Sequence, residues 1–303
     1  MTELTKRALG DSGLEIAPLV FGGNVFGWTA DQPTSFALLD AFVDAGFDAI
    51  DTADAYSRWV QGHEGGESET VIGQWLQARG RRDDVKIFTK VGSDMGQGHN
   101  DLSARWIEQA VEASLRRLQT DYIDLYQTHW PDPLTPQDET LKALDALVSS
   151  GKALEISKQE GLAAYGSLQP HYNLYSRKTF EDGLQPLALE ADLGVITYFS
   201  LESGFLSGKY KTADQIVGAK REGMLKDKFN ERGIRILAVL EAVAQRNEAS
   251  SAQTALAWLL AQPGVTAPIV SATSLGQLSD TLAAATLSLS LDDIEALNEA
   301  SEE

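Results

Sequence analysis

Apolar segments of strand length alternate with helix-patterned segments along most of the chain, and that alternation limits the fold more than any other feature. The apolar segments are APLVFGG (17–23), FDAI (47–50), VKIFTK (85–90), YIDLYQTH (122–129), GSLQPH (166–171), LGVITYFS (193–200) and APIVSA (267–272). Helical patterns lie between most of them. In SARWIEQAVEASLRRLQ, Ile107, Val111, Leu115 and Leu118 fall on one face, and Ser103 suits the N-cap. In TPQDETLKALDALV, Thr135 can cap, Pro136 suits the first helical position, and Leu141, Leu144 and Val148 form the stripe. Strand–helix–strand repetition calls for parallel pairing, because each helix returns the chain to the start of the next strand. KRALGDSGLEI, near the start, reads instead as a short hairpin about Asp11-Ser12-Gly13.

Two architectures satisfy that pattern, a doubly wound sheet and a (β/α)8 barrel. A doubly wound dinucleotide binder carries G-x-G-x-x-G after its first strand. Here the first strand runs into FGGNVFG, whose Gly22, Gly23 and Gly27 lack that spacing. The expectation is therefore an α/β chain folded as one (β/α)8 TIM-barrel domain over residues 1–303, with an N-terminal β-hairpin. Barrel sites form where the strands end, so polar residues at those ends become the candidates.

Four stand out. Asp51 ends the second core strand and Tyr56 follows it, Lys90 ends the third, and His129 ends the fourth. Singly, each has an ordinary structural reading: a turn cap, a half-buried aromatic, a solvated loop charge, a satisfied core histidine. Together, at consecutive strand ends on one face, they make a chemical set. A phenol titrates near 10 and is a poor acid at neutral pH. A neighbouring ammonium is expected to lower that value, a carboxylate to keep the ammonium charged and aimed, and a histidine to hydrogen-bond a substrate oxygen. Such a set protonates a carbonyl oxygen while hydride reaches the carbon.

The sequence resembles the aldo-keto reductase family through nearly its whole length. LGDSGLEIAPLVFGG resembles the family's hairpin and first strand, IDTADAY its D-x-A-x-x-Y element, FTKVG its lysine segment and YQTHW its histidine segment. The resemblance implies Asp51, Tyr56, Lys90 and His129 as the catalytic group, with Tyr56 as the acid. LQPHYNLY resembles the segment whose glutamine holds the nicotinamide amide, here Gln169. VITYFSLESGFLSGKY resembles the segment whose tyrosine stacks on the nicotinamide, here Tyr198, with Leu201 and the loop from Ser203 to Lys209 along the pyrophosphate. IVSATSLGQL resembles the adenosine-phosphate loop, with Ser271, Thr273 and Gln277 as candidates. The implied activity is reduction of aldehydes or ketones with NADP(H).

The sequence departs from the family twice. In SSGKALEISKQEG (149–161) one helix ends at Gly151, and Ala153, Leu154 and Ile156 read as the start of another, with no strand between. Only seven strands are countable. The fifth is missing near Gly151–Ala153, along with the Ser-Asn pair that the family uses to hold the nicotinamide amide. Losing a strand opens two edges, so residues absent at a chain break there are expected. The second departure is SATSLGQLSDTL, which contains no cation to meet a 2′-phosphate. The hydroxyls of Ser271, Thr273 and Ser274, or the side chains of Lys209 or Lys220, are the substitutes, so NADP(H) is expected and NAD(H) stays possible.

Trp28, Trp59 and Trp130 follow strands and are expected to wall the substrate pocket, although each also suits packing between helices. Glu67 and Glu69 fit a helix's first turn. The histidines lack metal-ligand spacing, so no metal is expected. A formal charge of −19 disfavours nucleic acid and anionic membranes as partners, leaving a small-molecule carbonyl substrate. The absence of cysteine, of a membrane-length apolar run and of a signal-peptide core suggests the cytoplasm. Oligomeric state is open. Two other functions remain open as well: a Schiff-base aldolase using Lys90, and a cofactor-binding regulator with little turnover.

Overall fold

The computed structural model describes residues 4–155, 158–159, 162–163, 165–219 and 221–303. Ile156 and Lys220, both named above, lie outside the described residues. The strands in chain order are β1 (Arg7–Ala8), β2 (Glu15–Ile16), β3 (Val20–Gly22), β4 (Ala49–Asp51), β5 (Lys86–Val91), β6 (Ile123–Thr128), β7 (Ala153–Glu155), β8 (Lys158–Gln159), β9 (Leu162–Ala163), β10 (Ser167–Leu168), β11 (Gly194–Thr197) and β12 (Val265–Val270). The α-helices are α1 (Gln32–Asp44), α2 (Glu67–Arg79), α3 (Ala104–Leu118), α4 (Gln137–Ser149), α5 (Gln185–Glu190), α6 (Glu222–Leu225), α7 (Glu231–Arg246), α8 (Ser251–Leu260), α9 (Leu275–Leu282) and α10 (Leu291–Ser301).

Eight strands form one parallel sheet in the order β10-β11-β12-β3-β4-β5-β6-β7. The expected N-terminal hairpin is β1 with β2, paired antiparallel through Arg7↔Ile16 and Ala8↔Glu15. Alternate residues on the strands face opposite layers. Val20, Ala49, Phe88, Leu125, Ile196 and Ala267, one from each of six strands, join Leu9 and Ile16 of the hairpin in one buried cluster. Their neighbours Phe21, Ile50, Ile87, Tyr126 and Val195 belong to the larger core shared with the helices. The hairpin thus caps one end of the sheet's inner face and leaves the strands' C-terminal ends open. Gly10 makes that cap fit: it has φ +57, and a Cβ there would lie 2.3 Å from the Asp192 carbonyl oxygen.

The region expected to lack a strand contains one. β7 pairs with β6 through Ile123↔Ala153 and Leu125↔Glu155. The chain runs continuously through Gly151 and Lys152. Gly151 takes φ +77, its N–H donates to Val148 O (3.0 Å), and the Lys152 N–H donates to Leu147 O (3.0 Å). This left-handed glycine cap stops α4 and turns the chain back to the sheet, where Ile123 N donates to Lys152 O (3.0 Å). A short apolar run fits helix or strand equally well, and here the open edge of β6 selects strand. The N-terminus of α4 also differs from expectation: Pro136 stands at the N-cap (ψ 133), while the Thr135 hydroxyl bonds Asp132. Ser103 caps α3 and Glu67 and Glu69 open α2, as expected.

Candidate active site

Two residues beyond the inner core on each strand, the same face reaches the open end. Ala49 leads to Asp51, Phe88 to Lys90, Leu125 to Gln127 and His129, Ile196 to Tyr198, and Ala267 to Ile269 and Ser271. Strand periodicity therefore aims these side chains into one space, a cleft of about 3020 Å³ whose lining includes Trp28, Trp130, Thr273 and Gln277.

At its floor, the Lys90 ammonium donates to Asp51 Oδ2 (2.7 Å), Thr52 O (2.7 Å) and the Tyr56 hydroxyl (3.0 Å). The Tyr56 hydroxyl donates to Asp51 Oδ2 (3.1 Å). Lys90 and Asp51 are buried at 2% and 1% exposure, so this ion pair forms in low dielectric. The His129 ring is edge-on to Tyr56, centroids 5.9 Å apart. Its Nδ1 lies 3.0 Å from Ser93 Oγ, which leaves Nε2 free of that contact. Gln169 donates from Nε2 to Asp51 Oδ1 (2.9 Å).

Burial and the Asp51 carboxylate push the Tyr56 phenol well above its ordinary value. This corrects the expectation that Lys90 lowers it: at this depth the loss of water and the bonded carboxylate outweigh the ammonium. Burial also lowers Lys90, against the opposing pull of Asp51. Burial first, then the Lys90 charge, lowers His129 to about 3, so its imidazole is neutral. Behind the group, Asp54 is buried with neither carboxylate oxygen hydrogen-bonded. Burial, then Glu69, raises it to about 7.

The three tryptophans all line the cleft. Trp28 packs edge-on against Trp59 (5.6 Å), Trp59 lies 6.0 Å from Tyr56, and Trp130 stacks on His129 (5.3 Å). Trp59 and Trp130 remain half exposed, at 52% and 50%. Tyr198, Leu201, Ser203, Ser271, Thr273 and Gln277 line the same cleft. Ser271 Oγ is within 2.8 Å of Gly22 O and 2.7 Å of Asn24 Oδ1. Thr273 donates from N and Oγ1 to Gln277 Oε1 (2.9 and 3.0 Å), next to the N-terminus of α9, which Ser274 caps.

Those parts suit a nicotinamide dinucleotide. The cleft is large, Tyr198 lines it, and the N-terminus of α9 beside Thr273 favours anions. Lys209 and Arg221 also line the cleft and pair with no carboxylate among the described residues; the Arg221 guanidinium lies over the Trp28 ring at 5.9 Å and the Lys209 ammonium over Tyr210 at 5.0 Å. The sequence reading missed Arg221, Ser93 and Glu202. Ser93 was findable, three residues past Lys90 at the same strand end. The other two sit in irregular segments with no period to read. No group of three or more potential metal-ligating side chains occurs among the described residues. No described helix is long and apolar enough to cross a membrane.

The chain belongs to the aldo/keto reductase family, whose sequence profile matches residues 18–302. It is 33% identical to the uncharacterized oxidoreductase YrpG of Bacillus subtilis (strain 168), over 96% of this chain and 94% of that protein. It is 32% identical to the aldo-keto reductase YhdN of the same organism, over 89% of this chain and 86% of YhdN. A probable voltage-gated potassium channel subunit beta from Oryza sativa subsp. japonica is 33% identical, over 92% of this chain and 90% of its own. An oxidoreductase of the family that acts on small carbonyl compounds with NAD(P)H follows from this membership.

Proposed function

We propose that the chain is one (β/α)8 barrel domain that reduces aldehydes or ketones with NADP(H), using Tyr56 as the proton donor. The carrying observation is the contact of Asp51, Tyr56 and Lys90 within 3.1 Å at the floor of the cleft. The cofactor supplies hydride when bound; the protein's task is to hold the carbonyl and manage one proton. The neutral His129 donates from Nε2 to the carbonyl oxygen while Ser93 holds Nδ1. Tyr56 OH then gives its proton to that oxygen as charge develops there. The tyrosinate left behind is stabilised by the Lys90 ammonium, which Asp51 keeps charged. The raised phenol is fully protonated in the free protein, and proton release depends on the developing alkoxide and on the Lys90 ammonium that meets the tyrosinate.

Gln169, Tyr198, Leu201, Ser203, Ser271, Thr273 and Gln277 hold the cofactor in this reading. Gln169, now bonded to Asp51, is the candidate partner for the nicotinamide amide, since the family's Ser-Asn pair is absent from the sequence. Lys209 and Arg221, which line the cleft with no carboxylate partner among the described residues, support NADP(H) over NAD(H). Trp28, Trp59 and Trp130 form aromatic walls that favour flat or apolar carbonyl compounds. β7 and β10 stand at the two ends of the sheet order, and closure of the barrel between them is part of this reading; a cysteine-free composition fits a cytoplasmic home.

The channel-subunit relative supports a second reading, a cofactor-binding regulator that turns over slowly. A Schiff-base aldolase is disfavoured, because Lys90 Nζ already bonds three acceptors that hold it as ammonium. The test is NADPH oxidation with an aromatic aldehyde and a ketone, repeated with NADH. Multiple turnovers, faster with NADPH, are expected. Tight NADPH binding without turnover on any carbonyl tried selects the regulatory reading.

A further inference from the structure

Glu202 is a buried carboxylate that the chemistry above does not use. It sits at 4% exposure in a loop with unusual backbone: Phe199, Glu202 and Ser203 have φ of 51, 45 and 59, and Gly204 has 99. Three non-glycine residues in the left-handed region within five positions are costly, at about 1 kcal/mol or more each. Such a loop persists only if its surroundings over-determine it.

The carboxylate supplies much of that constraint. Its Oε2 accepts from Asn173 Nδ2 (2.6 Å) and Ser176 Oγ (3.0 Å), and lies 2.9 Å from His171 Nε2. Its Oε1 pairs with Lys228 Nζ (2.7 Å). Asn173 also donates to the Phe199 carbonyl (2.9 Å), so one polar cluster grips both the start and the middle of the strained loop. Burial alone would raise Glu202, but the bonds from His171, Lys228 and Asn173 hold it down at about 2.

The cluster also reaches the aromatic platform. The His171 ring stacks on Tyr198 at 5.3 Å and 25°, and His171 and Tyr198 form a β-bridge. Glu202 therefore fixes the ring that backs Tyr198, while Tyr198 lines the cleft. From the reading that this cleft holds a nicotinamide dinucleotide, we propose that Glu202 is a positioning residue. Through His171 and Lys228 it sets the plane of Tyr198 against the nicotinamide and the path of the 199–204 loop along the phosphates.

The experiment compares wild type with Glu202→Ala, Glu202→Gln and Lys228→Met. It measures NADPH affinity and bound-NADPH fluorescence, then kcat at saturating NADPH. Glu202→Ala is expected to weaken NADPH binding by about tenfold or more, the equivalent of one lost buried bond network, and to shift the bound emission. Glu202→Gln keeps an acceptor for the neutral donors and is expected to recover most of that loss. Lys228→Met is expected to fall between them. Should Glu202→Ala fail to fold, Lys228→Met and His171→Asn carry the test, each severing one contact of the carboxylate. Variants that bind NADPH as wild type does, with the same emission, overturn the positioning role alone. Wild type that binds no nicotinamide dinucleotide overturns the underlying functional reading, and this role with it.

Discussion

Asp51 accepts from Lys90, Tyr56 and Gln169 at once, so a single carboxylate orders the acid, its cation and a glutamine 118 positions away. The same crowding sets the pH behaviour. His129 titrates at about 3 and Tyr56 well above 10, so neither changes charge between pH 5 and 8. Asp54, at about 7 and coupled by charge to Lys90, is the group that does, so in Asp54→Asn the rate of carbonyl reduction at saturating substrate should be flat across that range. A fall in rate with rising pH belongs to loss of the Lys90 proton, which burial brings below its ordinary range against the pull of Asp51. A histidine-like inflection near pH 6.5 in that profile would speak against the assignment. Asp54 makes a separate prediction. Its folded value is about 7 against an ordinary 3.8, so the folded state holds the extra proton and stability falls as pH rises from about 4 to 7. Asp54→Asn should remove that slope and stabilise the protein above pH 7, by no more than about 4 kcal/mol. Urea melts across pH 4 to 8 measure it, and an unchanged slope refutes it. The identities of Asp51, Tyr56, Lys90 and His129 were legible because each follows an apolar strand. The direction of the Tyr56 shift was not, because depth of burial is invisible in a list of neighbours.

At the scale of elements, the helical patterns and most strands followed from periodicity, and caps such as Ser103 from local chemistry. β7 did not. It is three residues long, follows α4 after a three-residue turn, and is identified by its partner β6 rather than by a pattern of its own. Helix packing shows another dependence that spacing conceals. Gly73 lies inside α2, where α2 meets α3 so closely that a Cβ would stand 2.1 Å from the Arg117 carbonyl oxygen. Helix propensity alone would make alanine better there by about 1 kcal/mol. The contact reverses that sign, because backbone must move. Gly73→Ala should destabilise the fold by about 2–3 kcal/mol, read as a lower denaturation midpoint. A midpoint at or above wild type would show that α2 and α3 can separate freely.

Across the whole molecule, sequence alternation announced the parallel α/β architecture and the hairpin announced the closed bottom, which together put chemistry at the other end. The long loops that line the cleft were not readable, and they carry Glu202 and Arg221. The central claim is that this architecture assembles Tyr56, from the loop after β4, with Lys90 of β5 into a proton donor. A single-turnover measurement tests it most directly: wild type and Tyr56→Phe are loaded with NADPH, mixed with an aromatic aldehyde, and followed by loss of nicotinamide absorbance. The account predicts NADPH affinity within about twofold of wild type in the variant and a hydride-transfer rate lower by about 10²–10⁴-fold. Equal rates in the two proteins would contradict it.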